Sequence, residues 1–195
     1  RGRQVDFVIF RENTEGLYLG RGSSKNVGTA DEEQIAEDVN TAPKVERIIR
    51  AAFDWARANK RTRVTMADKS NAIPAHRLWQ RLFGDVGAKY PDITRDHFYI
   101  DALAMQMVKS PEQFQVIVTN NLFGDIVTDL GAQLQGGLGL ASSGTIHPGR
   151  VSLFEPVHGS APNIAGQGVA NPLASILTVG MMLRFLGRGA LDERI

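Results

Sequence analysis

Phe114 to Gln135 reads F-Q-V-I-V-T-N-N-L-F-G-D-I-V-T-D-L-G-A-Q-L-Q. Val116 to Val118 is a short β-branched apolar run, suited to a buried strand. Two asparagines follow Thr119, either able to cap a helix, and Leu122, Phe123, Ile126, Val127 and Leu130 then recur at helical spacing. Asp125 and Asp129 stand one helical turn apart, so both carboxylates share a face, about 5–6 Å apart at Cβ. Like charges at this spacing repel, and no Lys or Arg within a turn offsets them. Two readings are open. One is a solvated acidic stripe. The other is a pair of oxygen ligands for a divalent cation, beyond the C-terminal end of a strand where open α/β sheets hold their ligands.

The rest of the composition bounds the problem. The chain has 195 residues, 43% hydrophobic and 22% charged, enough for a sizeable core in one or two domains. A net charge of +1 with no basic run makes nucleic acid an unexpected partner. The absence of cysteine excludes disulfides, thiolate metal sites and cysteine nucleophiles, and it fits a reducing, cytoplasmic setting. The longest uncharged apolar stretch, Val169 to Leu183, is interrupted by Asn171 and Pro172 and is too short to span a bilayer, so no membrane partner is expected. Arg1-Gly-Arg-Gln leads into an apolar strand with no initiator Met, and the chain reads as a piece of something longer.

Around the opening stretch, strands alternate with helices. Val5 to Phe10 reads as a buried strand, followed by the polar turn R-E-N-T-E-G-L-Y, Arg11 to Tyr18. Arg11 there suits a substrate carboxylate, or equally a surface pair with Glu12 or Glu15. The segment to Ala42 reads as a loop or a pair of exposed short strands. Pro43 to Asn59 predicts an amphipathic helix with Val45, Ile48, Ile49, Ala52, Phe53 and Ala56 on one stripe. Arg63 to Ala67 predicts a strand ending at Asp68-Lys69-Ser70-Asn71, and Pro74 starts another helix. That polar cluster at a strand-to-helix junction suits an active-site loop, or a surface Lys69 paired with Asp68. His97 to Ile100 predicts a strand ending at Asp101, which either caps the next helix or adds a third carboxylate. His76 and His97 show no ligand spacing and read as structural, and Met105 and Met107 read as core filler.

Glycines at 136, 137 and 139 mark a composition shift and a domain crossover near residue 136. Val151 to Phe154 predicts a strand. The loop Glu155 to Pro172 holds three glycines and three prolines in eighteen residues, long enough to suggest function. Its exposed backbone N–H groups suit a phosphate or adenosine, although it is neither a Walker A loop nor a G-x-G-x-x-G turn. Asn171 is placed to cap a helix to about Leu186 that is apolar nearly all round, and hence expected to be central.

Together RENTEGLY, DKSN, the Asp101 turn, NNLFGDIVTD and EPVHGSAPNIAGQGVANP, in this order and spacing, resemble the isocitrate/isopropylmalate dehydrogenases, a family of β-decarboxylating dehydrogenases. The resemblance covers essentially the whole chain. It implies an α/β fold with a mixed sheet flanked by helices. Residues 1–135 would form a smaller substrate and dimerisation domain, and 136–195 part of a larger, incomplete cofactor-binding domain. The implied activity is NAD-dependent, Mg2+- or Mn2+-assisted oxidative decarboxylation of a 2-hydroxy acid. The substrate is expected to be 3-isopropylmalate, as in leucine biosynthesis, with isocitrate, homoisocitrate or tartrate/malate as alternatives. A non-catalytic regulatory or dimerisation subunit is the alternative of another class.

Residue by residue, Arg11 resembles the arginine that holds a substrate carboxylate. Tyr18 resembles the tyrosine that protonates the enol, and Lys69 the lysine that relays the hydroxyl proton. As acid and base, both need a nearby cation and burial to bring them into working range. Asp101, Asp125 and Asp129 resemble the metal ligands, an all-oxygen set suited to Mg2+ or Mn2+. Lys69 and Asp101 are expected from the partner subunit, implying a homodimer with shared active sites. Asn71 is similar to a residue near the nicotinamide. Glu155, His158, Gly159, Ser160, Ala161, Asn163 and Asn171 match the dinucleotide-binding loop. Three departures stand out. The family's N-terminal segment, with a glycine-rich turn and two further substrate arginines, is missing, so the fragment alone is expected to lack full activity. Asn163 replaces the acidic residue of NAD-preferring members, and Ile164 rules out the Lys-Tyr pair of NADP-type isocitrate dehydrogenases. Asp68 leans toward isopropylmalate dehydrogenases, whereas RENTEGLY and GGLGLASSG lean toward isocitrate and homoisocitrate enzymes.

Overall fold

The computed structural model describes residues 5–192, with no side-chain account of 191 and 192; the opening Arg1–Gln4 lies outside the described residues. The elements in order are β1 (Val8–Arg11), β2 (Gly22–Lys25), β3 (Glu33–Ala36), α1 (Ala42–Ala58), β4 (Arg63–Asp68), α2 (Arg77–Gly87), β5 (Thr94–Tyr99), α3 (Ile100–Lys109), β6 (Val116–Thr119), α4 (Asn121–Leu134), β7 (Ser142–Thr145), β8 (Leu153–Pro156), α5 (Leu173–Phe185) and α6 (Gly189–Asp192). Contacts divide the chain into two units, Arg1–Val127 and Thr128–Ile195.

The first unit is built on a four-stranded sheet in the order β1-β6-β4-β5, with every pair parallel. Antiparallel pairing is confined to two separate ribbons, β2–β3 and β7–β8, so the mixed character lies outside the main sheet. β6 shows why the opening stretch reads as it does: all four of its residues are buried. Val64 and Met66 of β4 and Val116 and Val118 of β6 point to one face and pack on α1 and α2. From the helices come Val45, Ile49, Ala52, Phe53, Ala56, Trp79, Leu82, Phe83 and Val86. Fully burying such side chains contributes about 1.5–3 kcal/mol each. The indole N–H of Trp79 donates to Asn40 Oδ1 at 2.8 Å, so its burial leaves no orphan donor. Pro74 opens a short 3-10 turn, and the regular helix α2 starts only at Arg77.

Register places the strand ends. Arg11 and Ala67 both align with Thr119, and Asp68 aligns with Tyr99. The residues following each strand therefore line one edge of the sheet, its C-terminal edge. Met107 is buried as expected, but Met105 is 60% exposed, because successive odd positions on α3 do not share a face.

In the second unit, α5 packs on β7 and β8, with Phe154 and Phe185 ring centroids 5.4 Å apart. The expectation that α5 is central is corrected. Only Ala174, Thr178 and Gly180 are buried, while Leu173, Ile176, Leu177, Val179 and Phe185 are exposed. One two-stranded ribbon covers only a narrow stripe of a helix that is apolar on every side.

Candidate active site

Two hydrogen-bonded clusters occupy the C-terminal edge of the parallel sheet. The first stands at the ends of β1 and β6. Arg11 donates from Nε and Nη2 to Asn121 Oδ1, at 3.1 and 2.8 Å, and from Nη1 to Asp125 Oδ1 at 2.6 Å. The Tyr18 hydroxyl donates to Asp125 Oδ2 at 2.9 Å, and the guanidinium lies 5.6 Å from the Tyr18 ring centroid. Gly124 makes this possible. A Cβ there would come within 2.9 Å of the Arg11 Cβ, Cγ and Cδ, closer than real carbons approach.

The asparagines divide the work. Asn120 is the helix cap, its Oδ1 accepting the Phe123 N–H at 2.9 Å. Asn121 is the site residue, and its amide also donates to the Glu15 carbonyl at 2.9 Å. The surface pairing of Arg11 with Glu12 or Glu15 does not occur. Both glutamates are buried: Glu12 accepts from Thr14, the Glu15 N–H and Arg47, and Glu15 accepts from Thr41. These bonds tie the R-E-N-T-E-G turn to the start of α1. Tyr18, by contrast, is 55% exposed, so burial does not tune it as expected. The Asp125 carboxylate accepting its proton pushes the phenol above the ordinary tyrosine value, keeping it in the acid form.

The second cluster stands at the ends of β4 and β5. Lys69 pairs with Asp101, in the first turn of α3, and its ammonium lies 5.9 Å from the Tyr99 ring centroid. That ion pair, rather than one with Asp68, holds Lys69. The Lys69 ammonium, together with N–H groups at the start of α3, holds the Asp101 carboxyl below the usual range. Asp68 is instead buried, its Oδ1 accepting from the Ser70 N–H and hydroxyl and lying 3.0 Å from His97 Nε2. Asn71 is exposed in the turn that follows.

Asp129 lies one turn beyond Asp125 on α4 and is exposed. Among the described residues, no three His, Asp or Glu side chains stand together as a metal site. Strand spacing explains this. Asp101 follows β5 and Asp125 sits on the helix following β6, two strand spacings or about 10 Å away. Ligands of one Mg2+ lie about 2 Å from it. The donor chemistry fits a hard cation, but one chain does not bring Asp101 to Asp125.

In the second unit, Glu155 ends up inside β8, and His158 to Asn163 follow it. Gly159, Ser160, Ala161 and Asn163 are exposed, and Ala161 adopts a left-handed φ of 43° before a 3-10 turn at Pro162–Ile164. A non-glycine residue held there is strained backbone of the kind that marks ligand loops. Asn171 caps α5 as expected, its Oδ1 accepting the Leu173 N–H at 3.0 Å. Asn120 is one of the two caps the sequence offers and His76 is buried as a structural residue; the sequence did not show the contact of Asn121 with Arg11 or the parts of Gly124 and Asp38. Only the doubled asparagine gave a local signal, because the other contacts depend on chain-distant neighbours.

No described helix is long and apolar enough to cross a membrane. Residues 1–194 match the family model described as isocitrate/isopropylmalate dehydrogenase. The chain is 49% identical to a 3-isopropylmalate dehydrogenase of Streptomyces griseus, over 98% of this chain and 56% of that protein. It is 50% identical to one of Corynebacterium jeikeium, over 98% and 57%. It is similar to a crystal structure of isocitrate dehydrogenase from Methylococcus capsulatus, with TM-score 0.91 and 45% identity over 98% of this chain and 56% of that one. The chain thus spans a little over half the length of these relatives. The motifs, the fold and the likeness along nearly all of its length agree: the chain belongs to the isocitrate/isopropylmalate dehydrogenase family.

Proposed function

We propose that the complete protein is an NAD-dependent, Mg2+- or Mn2+-assisted oxidative decarboxylase of a 2-hydroxy acid, with 3-isopropylmalate as substrate. The observation that carries this reading is the Arg11–Tyr18–Asp125 cluster, one cation and one phenol gathered on a carboxylate at the edge where parallel sheets present their ligands. The 3-isopropylmalate dehydrogenases to which the chain is 49% and 50% identical support the choice of acid.

In this reading Arg11, oriented by Asn121, presents its guanidinium to a substrate carboxylate. Lys69, in its neutral amine form, would take the proton of the substrate hydroxyl; a bound dinucleotide would supply the hydride acceptor, and the keto acid would then lose carbon dioxide. Tyr18, whose hydroxyl donates to Asp125, would deliver a proton to the resulting enol. Asp101, Asp125 and Asp129 would hold the cation. When bound, it supplies Lewis-acid stabilisation of negative charge on the substrate oxygens. Because Asp101 is turned to Lys69 on the β4–β5 side, the reading draws both from a second subunit, giving a homodimer with shared sites. Residues 1–135 serve as the substrate and dimerisation domain. Residues 136–195 serve as part of the cofactor domain, with Asn71, Glu155, His158 to Ala161, Asn163 and Asn171 against the dinucleotide. A cytoplasmic location, with neither nucleic acid nor membrane as partner, goes with this role.

The test is NAD reduction by the complete protein with 3-isopropylmalate and Mn2+. Turnover that stops on chelation supports the reading. A preference for isocitrate, which the likeness to the Methylococcus capsulatus enzyme favours as second reading, changes only the substrate. No turnover with either acid, nor with homoisocitrate or tartrate, overturns the enzyme in favour of a regulatory subunit.

A further inference from the structure

His76 was read as a structural histidine, and it is fully buried. Its two ring nitrogens are nevertheless spent on particular partners. Nδ1 lies 3.1 Å from the main-chain nitrogen of Lys69, whose N–H can only donate. The Lys69 carbonyl in turn accepts from the N–H groups of Ala72 and Ile73, at 2.9 and 2.8 Å. Both polar main-chain groups of Lys69 are therefore tied down, while its side chain is left to reach Asp101.

The tautomer follows from these partners. With Nδ1 accepting, the ring proton sits on Nε2, which faces Asp38 Oδ2 at 2.8 Å. Asp38 is itself fixed, its Oδ1 accepting from the Asn40 amide at 2.9 Å. Asn120 Nδ2 lies 3.0 Å from the same His76 nitrogen. Since Asn120 Oδ1 is engaged by the Phe123 N–H, its amide nitrogen touches the ring without accepting the Nε2 proton, which goes to Asp38. Phe123 closes the other side, edge-on at 5.4 Å. One imidazole thus joins three segments: the turn of Lys69, the segment before α1, and the Asn120–Asn121 turn that holds Arg11.

We propose that His76 is a positioning residue, which sets the main chain at Lys69 against Asp38 and so links the Lys69 side of the sheet edge to the Arg11 side. The proposal rests on Lys69 being the general base, as argued above. The Asp38–His76–Lys69 arrangement does for a main-chain amide what a carboxylate does in orienting a histidine that must itself hold another group. Packing alone would be served by an apolar side chain, which would leave the half-buried Lys69 N–H without its acceptor.

The test separates the two ring nitrogens in the complete enzyme. His76→Asn places an amide oxygen near Nδ1 and keeps the acceptor for Lys69. His76→Gln places its amide near Nε2 and keeps the contact with Asp38. The expected result is that His76→Gln loses roughly ten- to a hundredfold in kcat, the range for removing a group that orients an active one. His76→Asn recovers most of that loss, while KM for 3-isopropylmalate and Tm shift alike in both. Equal losses of kcat in the two variants, or a change in KM alone, overturn the proposal. Lys69→Ala, assayed alongside, keeps the readings apart. If it is inactive while Asn and Gln behave alike, only the His76 inference fails; if it turns over normally, Lys69 is not the base and both fail. Should neither His76 variant fold, 15N NMR of histidine in the unaltered protein decides. A bare Nδ1 with the proton on Nε2 supports the proposal, and a proton on Nδ1 overturns it.

Discussion

Arg11 Nη1 and Asp125 Oδ1 lie 2.6 Å apart, although 114 residues separate them in the chain. This pair answers the question posed by the two carboxylates on α4. No cation lies within a helical turn of Asp125, but the end of the neighbouring parallel strand supplies one. The pair is not deeply buried, with Arg11 29% and Asp125 50% exposed, so its value lies in orientation more than in stability.

Asn121 is the buried partner in that arrangement, and removing it should be felt in binding. Asn121→Ala strips two acceptor contacts from a charged guanidinium and one donor from the Glu15 carbonyl. We expect a stability loss of about 2 kcal/mol by urea unfolding, with KM for the hydroxy acid raised more than kcat is lowered. A variant with normal KM would mean that Arg11 needs no such support.

Tyr18 provides a pH prediction. Its phenol is held above the ordinary tyrosine value, first because Asp125 accepts its proton. Asp125→Asn removes that charged acceptor, so Tyr18 should ionise at lower pH. The check is tyrosinate absorbance, taken as the difference between each protein and its Tyr18→Phe counterpart. An unchanged midpoint would show that Asp125 does not govern this proton.

Acid stability should report on Asp38. Its carboxyl is held below the ordinary value, chiefly by the hydrogen bond from His76. A group depressed in the folded state contributes stability above the unfolded value, about pH 4, and loses it as pH falls through the folded value. Asp38→Asn should therefore narrow the gap in Tm to wild type as the pH drops from 5 toward 2. A gap that stays constant with pH would contradict this assignment.

Glu12 is 2% exposed yet accepts from Thr14, the Glu15 N–H and Arg47. Glu12→Ala leaves the Thr14 and Glu15 donors unmatched, and we expect a loss of about 1–3 kcal/mol, the cost of a buried donor left without its acceptor; Arg47, half exposed, stays solvated. Thermal unfolding of the variant would measure it, and a loss below about 1 kcal/mol would contradict the buried network.

The proposed sharing of sites between two subunits makes a prediction of its own. A Lys69→Ala subunit mixed with a Tyr18→Phe subunit should regain part of the activity that each homodimer lacks, because one of the two sites in the mixed dimer is intact. Absence of any regain would place Lys69 and Tyr18 in one subunit.

The amino-acid order by itself determined the alternation of strands and helices, the apolar faces of α1 and α2, and the blocks that carry the family resemblance. These signals are local, since periodicity, caps and prolines act within a few residues. It also pointed to Arg11, Tyr18, Lys69, Asp101, Asp125 and Asp129 through their motifs. Only the tertiary structure decided which of them meet. Parallel pairing brings Arg11 beside Thr119, and hence to Asn121 and Asp125, while Lys69 and Asp101 gather at the ends of β4 and β5. It likewise turned Glu12 and Glu15 from polar residues of an apparent turn into buried, bonded anchors, gave the structural His76 its partners, and left much of the apolar α5 exposed. The two aspartates of α4 were legible as a pair, but the guanidinium facing Asp125 was not. Its place depends on the register of β1 against β6, and no stretch of sequence shorter than the whole sheet encodes that.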